Sequence, residues 1–267
     1  MISVGLIQSN IFPHQVSENL EHYASLLEEK ITKPVQLLVF PETFSCGFSS
    51  ALKAEAEAMS GKSVQFLQET ALKYSAEVVA SVPILEDGKV FNRLVWCSPT
   101  GIRDCYDKRH LFMGDEEKQC QPGTRRTIIE ALGYKFLPLI CYDVRFPMWS
   151  RNHYADGCYE YDVLIYIANF PSPREGVLRK LAVARAIENQ AYVLVVNRVG
   201  QDGNHLRHSG GTAVISPQGE VLCAAADNQE AFLQFDLNME DLSKMRTCFA
   251  VAKQWDTVEH FPTSSPN

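Results

Sequence analysis

Short apolar runs alternate along this chain with segments whose apolar residues recur every three or four positions. Short runs bounded by turn formers predict strands, and the longer spacing predicts amphipathic helices. The predicted strands span residues 2–8, 35–40, 77–85, 90–96, 102–107, 136–140, 162–168, 192–196, 212–215, 221–225 and 232–236. The predicted helices span residues 16–31, 63–74, 178–190 and 239–249.

The order of these elements predicts an α/β fold. Buried strands that alternate with helices favour parallel pairing, whereas the turns at Asp87-Gly88 and Pro217-Gln218-Gly219 predict antiparallel hairpins in the same sheets. Three polar segments are interpreted as loops: residues 113–126, 171–174 and 203–211. Because no linker, repeat or low-complexity segment divides the chain, we expect one domain over residues 1–267. Its last part, from about residue 250 to 267, is polar and is expected to be irregular.

Composition excludes several classes of protein. The 25 basic and 32 acidic residues give a net charge of -7, which does not support binding to nucleic acid or to an anionic membrane. No apolar run approaches about 20 residues, and the N-terminal MISVGLIQSN lacks the basic start of a signal peptide. The eight cysteines form no CxxC pair and no metal-ligand spacing with histidine. We therefore expect a cytoplasmic protein with reduced thiols and with neither metal nor cofactor.

Three residues with useful chemistry follow predicted strands. Cys141 ends the run FLPLIC, Glu42 follows the buried strand at 35–40, and Lys108 follows the strand at 102–107. Open α/β sheets bind ligands at the carboxyl ends of their strands. Each residue also has an ordinary interpretation, because cysteine is often a small buried hydrophobe and a lone lysine or glutamate usually faces solvent.

These residues lie in FPETF, YDKRHLF and ICYDVRFP, which in this order resemble the motifs of the nitrilase superfamily of carbon–nitrogen hydrolases. The resemblance covers nearly the whole chain, including RAIENQAYV and GGTAVISPQGE, and is strongest to the omega-amidase branch through DKRHLF, CYDVRFP and NFPSPR. It implies a four-layer αββα sandwich of two pseudo-equivalent halves. It also implies a homodimer that meets near the helix after Cys141 and the C-terminal tail, and a catalytic triad of Glu42, Lys108 and Cys141.

Amide hydrolysis explains why these residue types are needed. An amide carbon is a poor electrophile, and a free cysteine with a pKa near ~8.5 is only a few per cent thiolate at neutral pH. Glu42 is expected to take the proton from Cys141 and to pass it later to the departing ammonia. Lys108 and the backbone N–H of Tyr142 are expected to stabilise the oxyanion. Water activated through Glu42 then hydrolyses the thioester.

A second glutamate follows from the same resemblance. A lysine beside Glu42 favours the charged carboxylate and weakens it as a base, and another carboxylate near Lys108 would rebalance the charge. Glu116 matches the family's placement in the loop before the nucleophile, six residues before Pro122, but Glu117 is adjacent. The choice between the two glutamates stays open at this point.

Arg174, Arg145 and Phe170 are the candidate substrate-binding residues. The planar donor fork of arginine suits a carboxylate. Arg145 is expected to pair with Asp143 or with a helix end, so its binding role is secondary. Arg174 follows Phe170 in the NFPSPR segment and has no obvious acidic partner except its neighbour Glu175. We therefore expect Arg174 to bind the distal carboxylate of the substrate.

The remaining charged residues are given structural interpretations. Arg185 and Glu188 are expected to form an ion pair that orients their helix, and Asp143 is expected to support its loop. The three histidines of interest show no metal spacing and no triad partner, and we assign them no chemistry: His110, His205 and His208.

The leading hypothesis is an enzyme that releases ammonia from a small omega-amido 2-oxo acid. A nitrilase or a hydrolase of N-carbamoyl amines or amino acids is the alternative, because the same triad serves these reactions. A non-catalytic dimeric binding protein is disfavoured by the intact Glu42, Lys108 and Cys141. A papain-like protease is disfavoured because Cys141 lacks the expected context and a suitable histidine.

Overall fold

Two six-stranded sheets form the centre of the computed structural model, which describes residues 1–49 and 51–256. The first sheet contains β1 (Ile2–Gln8), β2 (Leu37–Val39), β3 (Glu77–Glu86), β4 (Lys89–Ser98), β5 (Gly101–Asp107) and β16 (Ala231–Leu237). The second sheet contains β6 (Ile129–Ala131), β7 (Tyr134–Ile140), β10 (Val163–Ile167), β11 (Tyr192–Val196), β14 (Ala213–Ile215) and β15 (Val221–Ala224). Two small hairpins are separate from these sheets: β8 (Tyr154–Ala155) with β9 (Cys158–Tyr159), and β12 (Val199–Gln201) with β13 (Arg207–Ser209).

Six α-helices surround the sheets in the described part of the chain. They are α1 (Val16–Lys30), α2 (Lys62–Tyr74), α3 (Asp115–Gln119), α4 (Pro147–Ser150), α5 (Ser172–Asn189) and α6 (Met239–Cys248). Two 3-10 helices add Cys141–Arg145 and Val251–Gln254. Across the ranges that the structure describes, no helix has the length and apolar character needed to cross a membrane.

The two sheets follow the same plan. The strand order of the first is β16-β1-β2-β3-β4-β5, and that of the second is β15-β14-β11-β10-β7-β6. In each sheet three parallel strands are flanked by antiparallel ones: β1, β2 and β3 in the first, and β7, β10 and β11 in the second. The repetition agrees with the two pseudo-equivalent halves that the resemblance implies. It also places the carboxyl ends of β2 and β7 where a site can form.

The molecule has four layers, because the side chains of each sheet point alternately to its two faces and pack on a different partner on each face. Leu6 of β1 packs in the cluster shared with the second sheet, whereas Ile7 packs with Tyr23 of α1 and Leu67 of α2. This follows from the two-residue period of a strand, which sends neighbouring side chains to opposite faces. On the other side, Leu178 of α5 packs on the second sheet. The predicted αββα sandwich is therefore confirmed.

Three predicted loops contain regular structure instead. The segment at 113–126 includes α3, and the segment at 203–211 includes β13. Helix α5 begins at Ser172, six residues before its predicted start, so Arg174 lies in its first turn and not in a loop. The prolines caused this error: Pro173 stands in the first helical turn, where a missing N–H costs no hydrogen bond. Within the tail predicted to be irregular from about residue 250, Val251–Gln254 form a 3-10 helix, and the part from residue 257 onward lies outside the described residues.

Candidate active site

Cys141 stands at the carboxyl end of β7, as the first residue of the 3-10 helix Cys141–Arg145. Its φ angle is +45°, a left-handed conformation that costs a non-glycine residue about 1 kcal/mol or more. Only 9% of its surface is exposed. The strand end and the tight turn together present the thiol at the edge of the second sheet, and the surrounding structure must hold this conformation.

Asp143 holds the cysteine turn. Its Oδ2 accepts hydrogen bonds from the backbone N–H of Ile140 at 3.1 Å and from the hydroxyl of Tyr106 at 2.8 Å. Its Oδ1 accepts one from the backbone N–H of His110 at 3.0 Å and lies 2.8 Å from that residue's Nδ1. The carboxylate is fully buried, and each oxygen has two partners. The expected supporting role of Asp143 is confirmed.

Arg185 of α5 fixes the same turn from the helix side. Its Nη1 pairs with Glu188 at 2.9 Å, and its Nη2 donates to the carbonyl of Val144 at 2.8 Å. The predicted ion pair is therefore confirmed. Its guanidinium also ties α5 to the 3-10 helix of Cys141, which the sequence did not reveal.

Glu42, Lys108 and Glu116 form a buried ion cluster. Nζ of Lys108 lies 2.8 Å from Oε1 of Glu42, 3.0 Å from Oε1 of Glu116 and 2.8 Å from Oε2 of Glu116. All three side chains are at most 1% exposed. The second oxygen of Glu42 accepts the backbone N–H of Asn169 at 2.8 Å. Glu117, in contrast, is exposed and accepts the N–H of Gly114 at the start of α3. The geometry thus favours Glu116 over Glu117 as the second glutamate.

Asn92 completes this cluster and was missed in the sequence. Its Nδ2 donates to Oε1 of Glu42 at 2.9 Å and to Oε1 of Glu116 at 2.8 Å, while its backbone carbonyl accepts the N–H of Lys108 at 3.0 Å. A signal was present, because Asn92 lies between Val90 and Leu94 on the inward face of β4. A polar residue at such a position requires buried hydrogen-bond partners.

Burial and the charges of the cluster together set the protonation states of Lys108, Glu116 and Cys141. Burial disfavours the charged ammonium of Lys108 and by itself lowers its pKa. The charges of Glu116, Glu42 and Cys141 outweigh burial and raise the pKa of Lys108 well above its ordinary value. Burial raises the pKa of Glu116; Lys108 opposes this rise and Glu42 adds to it. Burial also raises the pKa of the Cys141 thiol well above its ordinary value, Glu42 adds to the rise through its charge and a hydrogen bond, and Lys108 opposes it. The resting cysteine is therefore a neutral thiol that requires a base.

Glu42 and Lys108 of this cluster line one cavity of about 160 Å³ together with Cys141, whereas Glu116 is buried against Lys108 and is not part of the wall. This is small beside the roughly 300–1,000 Å³ of sites for drug-sized ligands, so the cavity suits a small molecule. Its wall contains every predicted substrate-binding residue together with Tyr142, whose backbone N–H stands in the first turn of a 3-10 helix and has no acceptor within that helix. Phe170 is buried and its N–H donates to Asn197 at 2.8 Å.

Arg174 and Arg145 both line the cavity without an acidic partner among the described residues. The guanidinium of Arg174 lies over the ring of Phe112 at 4.9 Å, and Glu175 is engaged by Arg179 and Ser209. The guanidinium of Arg145 lies 5.9 Å from the ring of Tyr142.

The expected pairing of Arg145 with Asp143 is therefore wrong. The two residues are two positions apart in a 3-10 helix of three residues per turn, so their side chains point to different sides. Asp143 points into the core, whereas Arg145 is exposed at the cavity.

Two further residues of the cavity wall were not predicted. Nε2 of His208 lies 3.1 Å from Oδ2 of Asp202, and both residues are buried. The other oxygen of Asp202 accepts the backbone N–H groups of Asn204 and Leu206. His208 and His110 each have an acidic partner, Asp202 and Asp143, which were not predicted from the sequence. Within residues 1–49 and 51–256, no group of three or more His, Cys, Asp or Glu side chains is placed to hold a metal ion.

The fold and this site define a class of enzyme, and sequence comparison agrees. The chain belongs to the carbon-nitrogen hydrolase family, whose sequence model matches residues 3–247. It is 37% identical over 262 residues to omega-amidase YafV of Escherichia coli K12, a match that covers 97% of this chain and 98% of that relative. It is 32% identical over 253 residues to 2-oxoglutaramate amidase of Bacillus subtilis 168, covering 93% of this chain and 95% of the relative.

A solved structure supports the same assignment. XC1258 from Xanthomonas campestris, a CN-hydrolase superfamily protein with an arsenic adduct in its active site, superposes with a TM-score of 0.94 at 34% sequence identity. The superposition covers 97% of this chain and 99% of that chain. The resemblance that the motifs indicate is confirmed.

Proposed function

We propose that this chain is an amidase of the omega-amidase type. It hydrolyses the terminal amide of a small omega-amido 2-oxo acid and releases ammonia. The near full-length similarity to two amidases of this kind supports the reaction class. The observation that carries the proposal is one small cavity whose wall contains Cys141, Glu42 and Lys108, the last of which is also paired with the buried Glu116, together with two arginines that have no acidic partner in the described residues.

The first half of the reaction acylates Cys141. Glu42 accepts the thiol proton as the sulfur attacks the amide carbon, so that the C–S bond forms and the carbonyl π bond opens. Because burial raises the pKa of the thiol, the sulfur needs Glu42 to take its proton for this attack. Glu42 then gives the proton to the amide nitrogen. The C–N bond breaks, ammonia leaves and a thioester remains.

Lys108 and the N–H of Tyr142 stabilise the oxyanion. Lys108 stays charged because two carboxylates surround it, and it lines the same cavity as Cys141. Tyr142 follows the nucleophile directly, and its N–H has no intrahelical acceptor. Each preorganised donor of this kind contributes roughly 10²–10³ in rate.

The second half of the reaction returns the enzyme to its resting state. Glu42, ionised again after giving up its proton, accepts a proton from water as the water oxygen attacks the thioester carbon. The tetrahedral intermediate collapses, the C–S bond breaks and the proton returns to sulfur. The products are the dicarboxylic acid and a free Cys141. Glu116 keeps Lys108 from neutralising Glu42 completely, which preserves the basicity that both steps need.

Arg174, assisted by Arg145 and by the ring of Phe170, binds the distal carboxylate. Both guanidinium groups face the cavity and neither is engaged by a carboxylate in the described part of the chain. The guanidinium of Arg174 lies over the ring of Phe112, and that of Arg145 lies over the ring of Tyr142. The pocket is therefore selective for an anion at one end and an amide at the other.

Ammonia release from a panel of amides, nitriles and N-carbamoyl acids tests the proposal. We expect the highest kcat/KM for a short omega-amido acid, with an acyl-enzyme mass trapped on Cys141. A higher kcat/KM for a nitrile or for an N-carbamoyl amino acid would replace the omega-amidase assignment by one of those reactions. Absence of turnover across the panel would support a binding protein.

The oligomeric state that we propose rests on exposed apolar residues outside the cavity. We propose a homodimer that meets at Met148, Ile187 and Phe249, which are 50%, 51% and 66% exposed. The segments that carry them are adjacent, since Arg151 donates to the carbonyl of Glu188 and Gln190 donates to that of Phe249. Ile187→Asp should convert a dimer into a monomer in light scattering, and a wild-type monomer at micromolar concentration would refute the assembly.

We also propose that residues 1–267 act as one catalytic domain in the cytoplasm. The family match spans residues 3–247 without interruption, which supports one domain. All eight cysteines are free thiols, two of them exposed, which supports a reducing compartment.

A further inference from the structure

Asn92 occupies an unusual position between the two glutamates. Its amide nitrogen and the ammonium nitrogen of Lys108 donate to the same two oxygens, Oε1 of Glu42 and Oε1 of Glu116, at 2.8 to 3.0 Å. Two donors and two acceptors thus form a closed ring of four hydrogen bonds. The backbone carbonyl of Asn92 also accepts the N–H of Lys108, which fixes the ring to the edge strand pair β4 and β5.

This ring of hydrogen bonds affects the ionisation of the two glutamates. Two carboxylates that face one ammonium carry an uncompensated negative charge, and in a buried site such a pair tends to retain a proton. A neutral amide that donates to both carboxylates favours their ionised forms without adding a competing charge. Asn92 is 1% exposed and uses both of its Nδ2 hydrogens for this purpose, while its Oδ1 has no partner in the described residues. A buried asparagine with an unsatisfied oxygen is costly, which argues for a role beyond packing.

We propose that Asn92 is a positioning residue that keeps the Glu42–Glu116 pair ionised at neutral pH, so that Glu42 is available as the base. This inference rests on the proposed function, because it takes Glu42 to be the catalytic base. The hydrogen bonds from which it is argued do not depend on the identity of the substrate. Asn92 acts through the two carboxylates and does not line the cavity itself.

Few other groups can set the protonation of this pair. The charged and titratable side chains that face it are Lys108 after β5, Cys141 after β7 and Cys120 after α3. The remaining partners are neutral backbone donors: the N–H of Asn169 on Glu42 and the N–H of Phe112 on Glu116 at 2.6 Å. Among the side chains of the described residues, Asn92 is therefore the neutral donor that contacts both carboxylates.

The test compares the pH dependence of two reactions in wild type, Asn92→Leu and Asn92→Asp. The first is kcat/KM for an omega-amido acid, whose acid limb reports the carboxylate pair as a unit. The second is the rate of Cys141 alkylation by iodoacetamide, followed by peptide mass, which needs the same base but no turnover. Asn152→Leu is the matched control. Asn152 is also a buried asparagine, but it bonds Tyr161 and Asn189 far from the cluster.

We expect both acid limbs to move to higher pH in Asn92→Leu and Asn92→Asp by roughly one to two units, the size set by losing a hydrogen bond to a charged group. Asn152→Leu should lower the melting temperature without moving either limb. Asn92→Asp keeps the shape of the side chain but adds a third carboxylate, so it should move the limbs further than Asn92→Leu, which removes the donor without adding charge. A purely structural role predicts a lower melting temperature and an unmoved limb in Asn92→Leu. Asn92→Ala, which also removes the donor without adding charge, decides the matter if Asn92→Leu does not fold.

The outcomes separate this inference from the proposed function. Unmoved acid limbs in the Asn92 variants of an enzyme that hydrolyses omega-amido acids would overturn the role of Asn92 alone. A shifted alkylation limb in a protein that hydrolyses no amide of the panel would support the role of Asn92 and overturn the substrate assignment.

Discussion

Replacing Arg174 by methionine removes the guanidinium that we place opposite the distal carboxylate of the substrate. Arg174 lies in the first turn of α5, half-buried against the ring of Phe112, with no carboxylate partner in the described residues. Methionine keeps much of the length and apolar stem of the side chain and removes the charge. Because Glu175 is already engaged by Arg179 and Ser209, the substitution leaves no newly unpaired carboxylate in the protein.

The size of the effect follows from the kind of interaction that the substitution removes. A hydrogen bond to a charged group contributes about 1.5–3 kcal/mol, and a fork that makes two of them in a partly exposed pocket is screened by solvent. A loss of about 2–3 kcal/mol corresponds to roughly 30- to 150-fold in kcat/KM. The loss should fall mainly on the charged substrate, since its methyl ester offers no carboxylate to bind.

The assay measures kcat/KM for a glutaramate-type acid and for its methyl ester in wild type, Arg174→Met and Arg174→Lys. Wild type should prefer the acid, Arg174→Met should lose that preference, and Arg174→Lys should fall between them because it keeps the charge without the planar fork. Lys180→Met is the control, because it removes a positive charge from an exposed site of the same helix outside the cavity.

Equal kcat/KM for acid and ester in wild type would show that no carboxylate pocket exists, and the omega-amidase assignment would fail with it. A wild-type preference that survives in Arg174→Met would move the binding role to Arg145. A parallel loss in Lys180→Met would show that the overall charge of the helix, and not a specific contact, attracts the substrate.

The remaining predictions concern the reacting groups. Cys141→Ala should abolish turnover with an unchanged fold by circular dichroism, and iodoacetamide, a small amide, should alkylate Cys141 before the seven other cysteines; retained turnover would remove the nucleophile. Lys108→Met should depress kcat more than it changes KM, and Glu42→Gln should be comparably severe; an unaltered kcat in either would contradict the oxyanion or base role. Glu116→Gln should impair turnover by roughly 10²-fold while Glu117→Gln leaves it near wild type, and the reverse pattern would contradict the geometry.

The residues that we propose for the reaction could be predicted because each stands in a local motif at a strand end. Glu42 and Lys108 follow β2 and β5, which run in the same direction in the first sheet, and Cys141 follows β7 of the second sheet. The residues after these three strand ends line one cavity. Glu116 could be placed only to within one residue, because the short helix α3 was not visible in a polar segment with no apolar period. The helix turns Glu116 inward and Glu117 outward, which a linear sequence does not reveal.

Other features depend on contacts between distant segments. Asn92 acts on Glu42 and Glu116, which are 50 and 24 residues away, and a single asparagine in an apolar strand does not reveal its partners. The pairing of His208 with Asp202 depends on the β12–β13 hairpin, which the glycine and histidine content of the segment hid. Arg145 was paired with the wrong residue because its neighbour Asp143 is close in sequence but points into the core.

The net charge of the cavity should affect how well it binds the substrate carboxylate. Glu42 and Glu116 share one ammonium, and burial together with Arg198 lowers the pKa of His208, so that Asp202 faces a neutral partner. A substrate carboxylate therefore enters a cavity whose fixed carboxylates outnumber the lysine, and only Arg174 and Arg145 offset them on the wall.

Removing both arginines should do more than abolish the preference for the acid. In Arg174→Met/Arg145→Met the remaining carboxylates should repel an anionic substrate, so the ester should become the better substrate, and added salt should narrow the difference by screening. Of the two single variants, Arg174→Met should lose the preference for the acid, and Arg145→Met should retain part of it. A double variant that treats acid and ester alike at low salt would show that the cavity carries no net negative charge, and that the buried carboxylates share a proton before substrate arrives.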